Sequence, residues 1–324
     1  MTVNHGEDIH TGVTAIVPRQ GNIFQKKVAA AADVFNGFGK TVGLSQIRFE
    51  GVIETPILLT ETLNTFLAAD ALIDYCIETY DKDLVSVNPV VGETNGSFLT
   101  KNHRRVITEE HVFQAISLAA AESGMGAVQE GNVGAGTPSS GYGFKGGIGT
   151  ASREISGAFV GALVQLNCGR KQDLRVAGVP IGRMIEMPHS PGEPPPGSIM
   201  ILVATDLALE SRHLWKMAKR GALGLARTGS YGSNGSGDFC IAFSTGGVAP
   251  ADGGPGCSRA VGDAFLSPFL EATVESVEEA ILNALFAAET MTGRDGHIRY
   301  AIPIDQVRAY LELEGSIRRN ADTR

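Results

Sequence analysis

Glycine content is the feature that most constrains how this chain can fold. Glycine supplies 41 of the 324 residues, about one in eight, where globular proteins average roughly 7%. Eight of these glycines fall in a single stretch, Gly131–Gly149. Because a residue without a Cβ permits tight turns and close backbone contacts, many of both are predicted. Hydrophobic residues make up 43% of the chain and charged residues 19%, which favours a sizeable buried core and excludes disorder.

Short apolar runs alternate with segments of helical spacing. Strands are predicted at 14–17, 56–60, 85–91, 198–204 and 239–244, with a turn at 92–96 and extended segments at 155–168 and 179–187. Helices are predicted at 66–80, 108–122, 209–225 and 305–314, and around 274–288 as a long helix ended by Gly293. The order lacks the strict strand–helix alternation of a doubly wound parallel sheet, and it contains no repeat. An α+β layered sandwich is therefore favoured.

The charge balance and the apolar pattern exclude several classes of partner. Acidic residues outnumber basic ones 35 to 27, which gives a formal charge of −8 and an isoelectric point near 5.4. This balance argues against binding to nucleic acid or to an anionic membrane surface. No uncharged apolar run approaches the roughly 18–20 residues of a membrane helix, and the first residues do not resemble a signal peptide. A cytoplasmic protein is predicted; a periplasmic or secreted one would look the same after removal of its signal.

Neither a metal site nor a cofactor site is predicted. The cysteines are Cys76, Cys168, Cys240 and Cys257, and none has the spacing of zinc ligands or of a disulfide framework. Buried free thiols are favoured for three of them. The glycine stretch lacks the GxGxxG order of a dinucleotide-binding turn, and no amphipathic helix follows it. Tight packing of loops around a site is the favoured explanation.

The pair Gly197-Ser198 lies between a proline-rich segment, His189–Gly197, and an apolar strand. A glycine carbonyl in a strained loop can come within reach of the following hydroxyl, which is the arrangement needed for an N→O acyl shift. Hydrolysis would then make Ser198 a new N-terminus, whose α-amine can act as a base toward its own hydroxyl. A simple turn before a strand is the alternative.

Four other polar residues stand at the ends of predicted strands. Ser236 and Asp238 are two apart on an extended segment and face the same way, so both could contact an amine. Asn167 ends an apolar run and could donate to an oxyanion, and Glu93 could bind a substrate ammonium group. Taken singly, each is better explained as an ordinary polar residue of a turn or strand end.

Several long stretches, in one order, resemble the DmpA-type aminopeptidases, the family of L-aminopeptidase/D-esterases and β-aminopeptidases. The resemblance runs from about Thr11 to Asp305. The matching stretches are VVGET at 90–94, GNVGAG at 131–136, FKGGIGTASR at 144–153, GSIMILVATD at 197–206, GLARTGS at 224–230, GSGDFCIAFST at 235–245 and EEAILNALFAAETMTGRDG at 278–296.

The resemblance implies a four-layer αββα sandwich, similar to that of the N-terminal-nucleophile hydrolases and of ornithine acetyltransferase, with residues 1–324 forming a single catalytic domain. Members of the family cleave themselves at a Gly-Ser bond, which corresponds here to Gly197-Ser198. Cleavage would give two chains, 1–197 and 198–324, that stay associated. A homotetramer of such processed heterodimers is implied as well.

The resemblance also assigns roles to single residues. Ser198 matches the nucleophile, and Ser236 and Asp238 match the pair that tunes its amine. Asn167 matches the amide that binds the oxyanion, and Glu93 matches the carboxylate that holds the free amino group of the substrate.

One position in the candidate site departs from the family pattern. Asn95 stands where many members have a tyrosine, so a wider or more polar substrate pocket is expected there. The activity implied is a serine aminopeptidase that releases N-terminal L-, D- or β-amino acids from short peptides, amides or esters. The alternatives are an acyltransferase of the ornithine acetyltransferase type, which uses threonine, and a non-catalytic binding protein with an intact Gly197-Ser198 bond.

Overall fold

The computed structural model describes residues 1–188, 197–247, 249–250 and 261–322. The strands are β1 (Thr2–His5), β2 (Ile9–Gly12), β3 (Thr14–Ile16), β4 (Lys26–Gly37), β5 (Val52–Ile53), β6 (Ile57–Glu61), β7 (Val90–Thr94), β8 (Ser140–Gly141), β9 (Phe144–Lys145), β10 (Gly147–Ile155), β11 (Ala158–Asn167), β12 (Ser198–Thr205), β13 (Gly237–Ser244), β14 (Ala249–Pro250), β15 (Met291–Thr292) and β16 (Ile298–Arg299). The α-helices are α1 (Leu44–Glu50), α2 (Thr65–Thr79), α3 (Glu109–Ala120), α4 (Ile181–Met184), α5 (Ser211–Arg227), α6 (Asp263–Phe286) and α7 (Ile304–Asp322).

The larger sheet has the strand order β10-β11-β12-β13-β4-β14, and β5 also pairs with β4. Its middle strand β12 has the sequence SIMILVAT and is buried along nearly its whole length. A continuous apolar run of this length is typical of a strand that is covered on both faces. β12 runs antiparallel to β11 and parallel to β13, so the end of β11 meets the starts of the other two strands.

Strands β10 and β11 form a hairpin with a two-residue turn. Ser156 and Gly157 both have positive φ, 54° and 81°, as the tight turns that match strand twist require. The extended segment predicted at 155–168 is therefore β11 together with this turn.

The molecule has four layers. The smaller sheet, β3-β6-β7, packs on one face of the larger one. Successive residues of β6 point to opposite sides: Ile57 and Leu59 belong to the core shared with the larger sheet, which includes Met200, whereas Leu58 belongs to the core shared with α2 and α3. Helices α5 and α6 cover the other face of the larger sheet. The αββα sandwich implied by the family resemblance is confirmed.

The apolar spacing in the sequence correctly predicted which helix residues are buried. Val277, Ile281 and Leu285 of α6 are fully buried and belong to the core between this helix and the sheet. None of the helices in the described part of the chain is long and apolar enough to cross a membrane. Cys76, Cys168 and Cys240 are buried free thiols, as predicted; Cys257 lies outside the described residues.

The predicted boundaries around β7 are wrong. The strand predicted at 85–91 begins only at Val90, and the turn predicted at 92–96 is still strand as far as Thr94. The physical reason is tertiary: β7 keeps parallel pairing with β6 up to the pair Glu61 and Thr94, and this pairing outweighs the turn-forming residues.

Three further local predictions are also wrong. The segment 179–187 contains the short helix α4 rather than a strand. Helix α6 ends at Phe286, not at Gly293, and α7 continues past 314 to Asp322. Gly293 has another use: a Cβ there would lie 2.2 Å from the Leu99 carbonyl oxygen, so its lack of a side chain permits close backbone packing.

Candidate active site

Ser198 is the first residue of β12 and is buried. Its hydroxyl oxygen accepts a hydrogen bond of 3.1 Å from the Gly237 N–H at the start of β13. In the sheet it pairs with Asn167, the last residue of β11. The antiparallel and parallel neighbours of β12 therefore bring two distant segments of the chain, the end of β11 and the start of β13, to Ser198.

Gly197 cannot carry a side chain in this position. A Cβ would lie 1.7 Å from the Asn167 carbonyl oxygen, which is far inside any allowed contact. The residue before Ser198 is thus a glycine because the backbone of β11 passes directly against it. The proline-rich segment before Gly197, residues 189–196, lies outside the described residues.

Ser236 and Asp238 form a hydrogen-bonded pair beside Ser198. The Ser236 hydroxyl donates to Asp238 Oδ1 over 2.6 Å, and Asp238 pairs with Ile199 across the parallel strands. Burial raises the pKa of Asp238 to about 6, although the Ser236 hydroxyl and the Ile199 N–H oppose this shift. Oδ2 is buried and has no hydrogen-bond partner within the described part of the chain. The carboxylate therefore offers one free acceptor next to the Ser198 backbone.

The side-chain amide of Asn167 is held at both ends. Its Oδ1 accepts a 2.7 Å hydrogen bond from the Ser140 N–H, and its Nδ2 donates to the Asn95 carbonyl oxygen over 2.8 Å. A primary amide has two N–H groups, and the bond to Asn95 uses one of them. The second N–H makes no bond to the described residues, so it is left to donate to a ligand.

Asn95 contributes through its backbone. Its carbonyl oxygen holds Asn167, as above, whereas its side-chain Oδ1 accepts from the Ser97 N–H at 3.0 Å and from Asn102 Nδ2 at 3.1 Å. This is an Asx turn that shapes the chain after β7. The predicted contact between the Asn95 side chain and a substrate stays a prediction.

Glu93 lies in β7 and is buried. Its Oε1 accepts a 2.9 Å hydrogen bond from the Lys40 N–H, and the Lys40 ammonium lies 3.9 Å away. That ammonium also donates to Thr62 Oγ1 over 2.8 Å, and the Lys40 side chain is half exposed. Glu93 is thus a buried acceptor whose only neighbouring cation among the described residues can move into solvent.

Glu61 is a second carboxyl group in this region, which the sequence reasoning missed. It ends β6, is fully buried, and its Oε2 accepts from the Leu63 N–H. Burial, together with the negative charge of Glu93, raises the pKa of Glu61 to about 8. The Glu61 carboxyl group is therefore largely protonated at pH 7. The available signal was the position of Glu61 directly after the strand predicted at 56–60.

Lys145 was also missed. It is fully buried and donates to the carbonyl oxygens of Gly136, Ser139 and Gly146. Burial lowers the pKa of this lysine to about 7. Three carbonyl oxygens converging on one ammonium group tie the two sides of the glycine-rich stretch together, and this explains the close loop packing that its composition predicts.

Comparisons with known proteins agree on one family. The family model described as peptidase family S58 matches residues 1–299. The beta-peptidyl aminopeptidase BapA of Sphingosinicella xenopeptidilytica is 38% identical over 318 residues, which cover 92% of this chain and 78% of that protein.

Two solved structures have the same fold. The Burkholderia sp. beta-aminopeptidase is 36% identical with a TM-score of 0.87, over 95% of this chain and 89% of that one. The L-aminopeptidase D-Ala-esterase/amidase of Ochrobactrum anthropi, described as a prototype for the serine aminopeptidases and a variant of the N-terminal-nucleophile hydrolase fold, is 36% identical with a TM-score of 0.88, over 97% and 90%. The chain therefore belongs to peptidase family S58 and is a serine aminopeptidase with a fold of the N-terminal-nucleophile hydrolase type.

Proposed function

We propose that the chain cleaves itself between Gly197 and Ser198 and then uses Ser198 as the nucleophile of an aminopeptidase. The observation that carries the proposal is the buried edge of the sheet where Ser198 meets Asn167 and Asp238. At this edge three neighbouring strands bring together a hydroxyl, a primary amide and a carboxylate with one unpartnered oxygen.

Self-cleavage begins when Ser198 Oγ attacks the Gly197 carbonyl carbon. The C–N bond breaks, the nitrogen takes up the proton of the hydroxyl, and an ester joins Gly197 to Ser198 Oγ. Water then hydrolyses the ester, leaving a carboxylate on 1–197 and a free α-amine on 198–324. The clash that any Cβ at position 197 would make is consistent with a glycine held tightly at the scissile bond.

In the mature enzyme the Ser198 α-amine takes the proton from its own hydroxyl, and Oγ attacks the carbonyl carbon of the first substrate residue. The free Asn167 N–H donates to the oxyanion that forms. The leaving amine receives the proton from the α-ammonium group and departs. Water then attacks the acyl-enzyme and regenerates Ser198.

Asp238 sets the basicity of the Ser198 amine. A carboxylate next to an ammonium group favours the charged form and raises the pKa of the amine. The hydrogen bond from Ser236 occupies one carboxylate oxygen and leaves Oδ2 without a partner among the described residues, so Oδ2 is the oxygen proposed to accept from the amine. The pair thus makes the amine a stronger base.

We expect Asp238→Asn to lower kcat and to move the acid limb of the pH–rate profile to lower pH. Above about pH 6 the wild-type carboxyl is ionised and raises the pKa of the Ser198 amine, whereas an asparagine cannot. The measurement is kcat/KM from pH 5 to 10, in steps of about half a unit.

Asp206→Asn is the matched control for this experiment. Asp206 lies beyond the opposite end of β12, where its Oδ1 accepts from the Phe159 N–H. Its replacement should leave the profile unchanged. An unshifted profile in Asp238→Asn would remove Asp238 from the proposed role.

Glu93 is proposed to bind the free amino group of the substrate. It is buried, its Oε1 accepts from the Lys40 N–H, and the half-exposed Lys40 side chain beside it can give way to an incoming ammonium group. The proposed substrates are short peptides, amides or esters with a free amine on an L-, D- or β-amino residue. The proposed assembly is a homotetramer of processed heterodimers.

Replacement of Glu93 by glutamine should raise KM by about 10- to 100-fold with a smaller change in kcat, because a buried charge-assisted bond to the substrate is lost. The assay compares β-alanyl and L-alanyl p-nitroanilides with their N-acetylated forms. The acetylated forms should be poor substrates of both enzymes. Glu275→Gln, at an exposed ion pair with Arg153, is the control. An unchanged KM in Glu93→Gln would assign amine binding to another group.

A further inference from the structure

The Asn167 amide is held by two separate segments of the chain. Its oxygen accepts from the backbone of Ser140 in β8, and its nitrogen donates to the backbone of Asn95 in the turn after β7. The direction of the free N–H therefore depends on how these two segments sit relative to each other. A residue that holds the two segments together therefore also fixes the orientation of the Asn167 amide.

Arg299 contacts both segments. Its Nε donates to Ser140 Oγ over 3.2 Å, and its guanidinium carbon lies 3.5 Å from the centre of the Phe98 ring. Phe98 follows Asn95 by three residues. One planar side chain from β16 thus reaches the segment that holds the amide oxygen and the segment that holds the amide nitrogen.

The ring of Phe98 is held both by Arg299 of β16 and by His297, which directly precedes that strand. His297 Nδ1 donates to the Phe98 carbonyl oxygen over 2.8 Å, and the two rings stack with their centres 4.6 Å apart. The turn after β7 is therefore anchored at both the backbone and the ring. Movement of Arg299 would be transmitted to this turn directly.

The setting of Arg299 is not that of an ordinary ion pair. The residue is 4% exposed, and no carboxylate in the described ranges pairs with it. Burial lowers the pKa of its guanidinium to about 10, and Nη2 has no hydrogen-bond partner among these residues. Burying a cation without a counter-charge is costly, so an apolar side chain would serve better if the position only filled space.

We propose that Arg299 is a positioning residue for the oxyanion site, which clamps Ser140 and Phe98 so that the second Asn167 N–H points at the reacting carbonyl. The inference rests on the proposed role of Asn167 as the oxyanion donor. Arg299 does not touch the substrate, and it acts through Ser140 and through the Phe98 turn. Its expected effect is on kcat, because a misdirected oxyanion donor weakens the transition state more than the bound substrate.

The test is a double-mutant cycle on the processed enzyme. Arg299→Met removes both contacts, and Ser140→Ala removes the hydroxyl acceptor while keeping the backbone N–H that holds Asn167. Each is made alone and together with Asn167→Ala. Intact mass gives the processed fraction, to which kcat is normalised, and thermal unfolding reports on the fold.

Both single variants should lower kcat on the order of tenfold with KM nearly unchanged, and Arg299→Lys should restore part of the loss from Arg299→Met. In the Asn167→Ala background the same changes should lower kcat no further, because the N–H group whose orientation they affect is absent. Arg227→Met, which removes an exposed arginine paired with Glu278, should leave kcat as in the wild type.

Two outcomes would overturn the inference: full kcat in Ser140→Ala and Arg299→Met, or losses that simply add to that of Asn167→Ala. If Arg299→Met does not fold, Ser140→Ala and Phe98→Leu carry the same comparison. A wild-type kcat in Asn167→Ala alone would instead reject the proposed role of Asn167, so the two failures are distinguishable.

Discussion

Replacement of Ser198 by alanine should leave one uncleaved chain of 34.0 kDa with no aminopeptidase activity, whereas the wild-type chain should give two fragments that end and begin at Gly197-Ser198. The physical reason is that both reactions need the same oxygen: alanine has no Oγ to attack the Gly197 carbonyl, and without cleavage residue 198 has no free amine. Intact mass spectrometry of the purified proteins measures processing, and hydrolysis of an aminoacyl p-nitroanilide measures turnover.

Ser152→Ala is the matched control for this experiment. Ser152 is an exposed residue of β10. It pairs with Gly161, in the first half of β11, whereas Asn167 is the last residue of that strand. Its loss should leave cleavage and activity as in the wild type. An uncleaved wild-type chain would reject self-processing, and a cleaved Ser198→Ala chain would place the nucleophile elsewhere.

Removal of the Asn167 amide should cause the second largest loss of activity. Asn167→Ala deletes the side-chain N–H that is proposed to donate to the oxyanion, and loss of an oxyanion donor costs about 2.7–4 kcal/mol of barrier, or roughly 100- to 1000-fold in kcat. KM should change little, because the donor acts on charge that develops only in the transition state. Initial rates on the processed fraction, with intact mass as the reference, give both parameters.

The chain offers a close structural control for Asn167. Asn132 is also gripped at both ends: its Nδ2 donates to the Glu289 carbonyl oxygen and its Oδ1 accepts from the Glu289 N–H. Asn132→Ala also removes a side-chain amide with two hydrogen bonds, but at a position away from Ser198. Equal activity losses in both variants would show that Asn167 acts through folding stability alone.

Much of the fold follows from local pattern. The run SIMILVAT is a buried central strand, and the spacing of Val277, Ile281 and Leu285 is the buried face of α6. The strand is recognisable as a continuous apolar run, and the helix by apolar residues that recur about every 3.6 positions. The segment at 92–94 departs from its local pattern, because pairing with β6 adds hydrogen bonds that turn-forming residues cannot match.

The candidate site was only partly predictable. Ser198, Asn167 and Asp238 stand at strand ends, where polar groups are noticeable in the sequence. Arg299 and Lys145 carry no such signal, because a lone arginine or lysine reads as a surface residue until its burial is known.

The sequence by itself determined the chemical groups and their local settings: a glycine before a serine at a strand start, and a serine and an aspartate two residues apart. The tertiary structure alone decided which groups meet. Gly237 reaches Ser198 across 39 residues, and Arg299 reaches Ser140 across 159. Strand register and the packing of one sheet on another set these contacts, and both depend on the whole chain, so a local period in the sequence does not encode them.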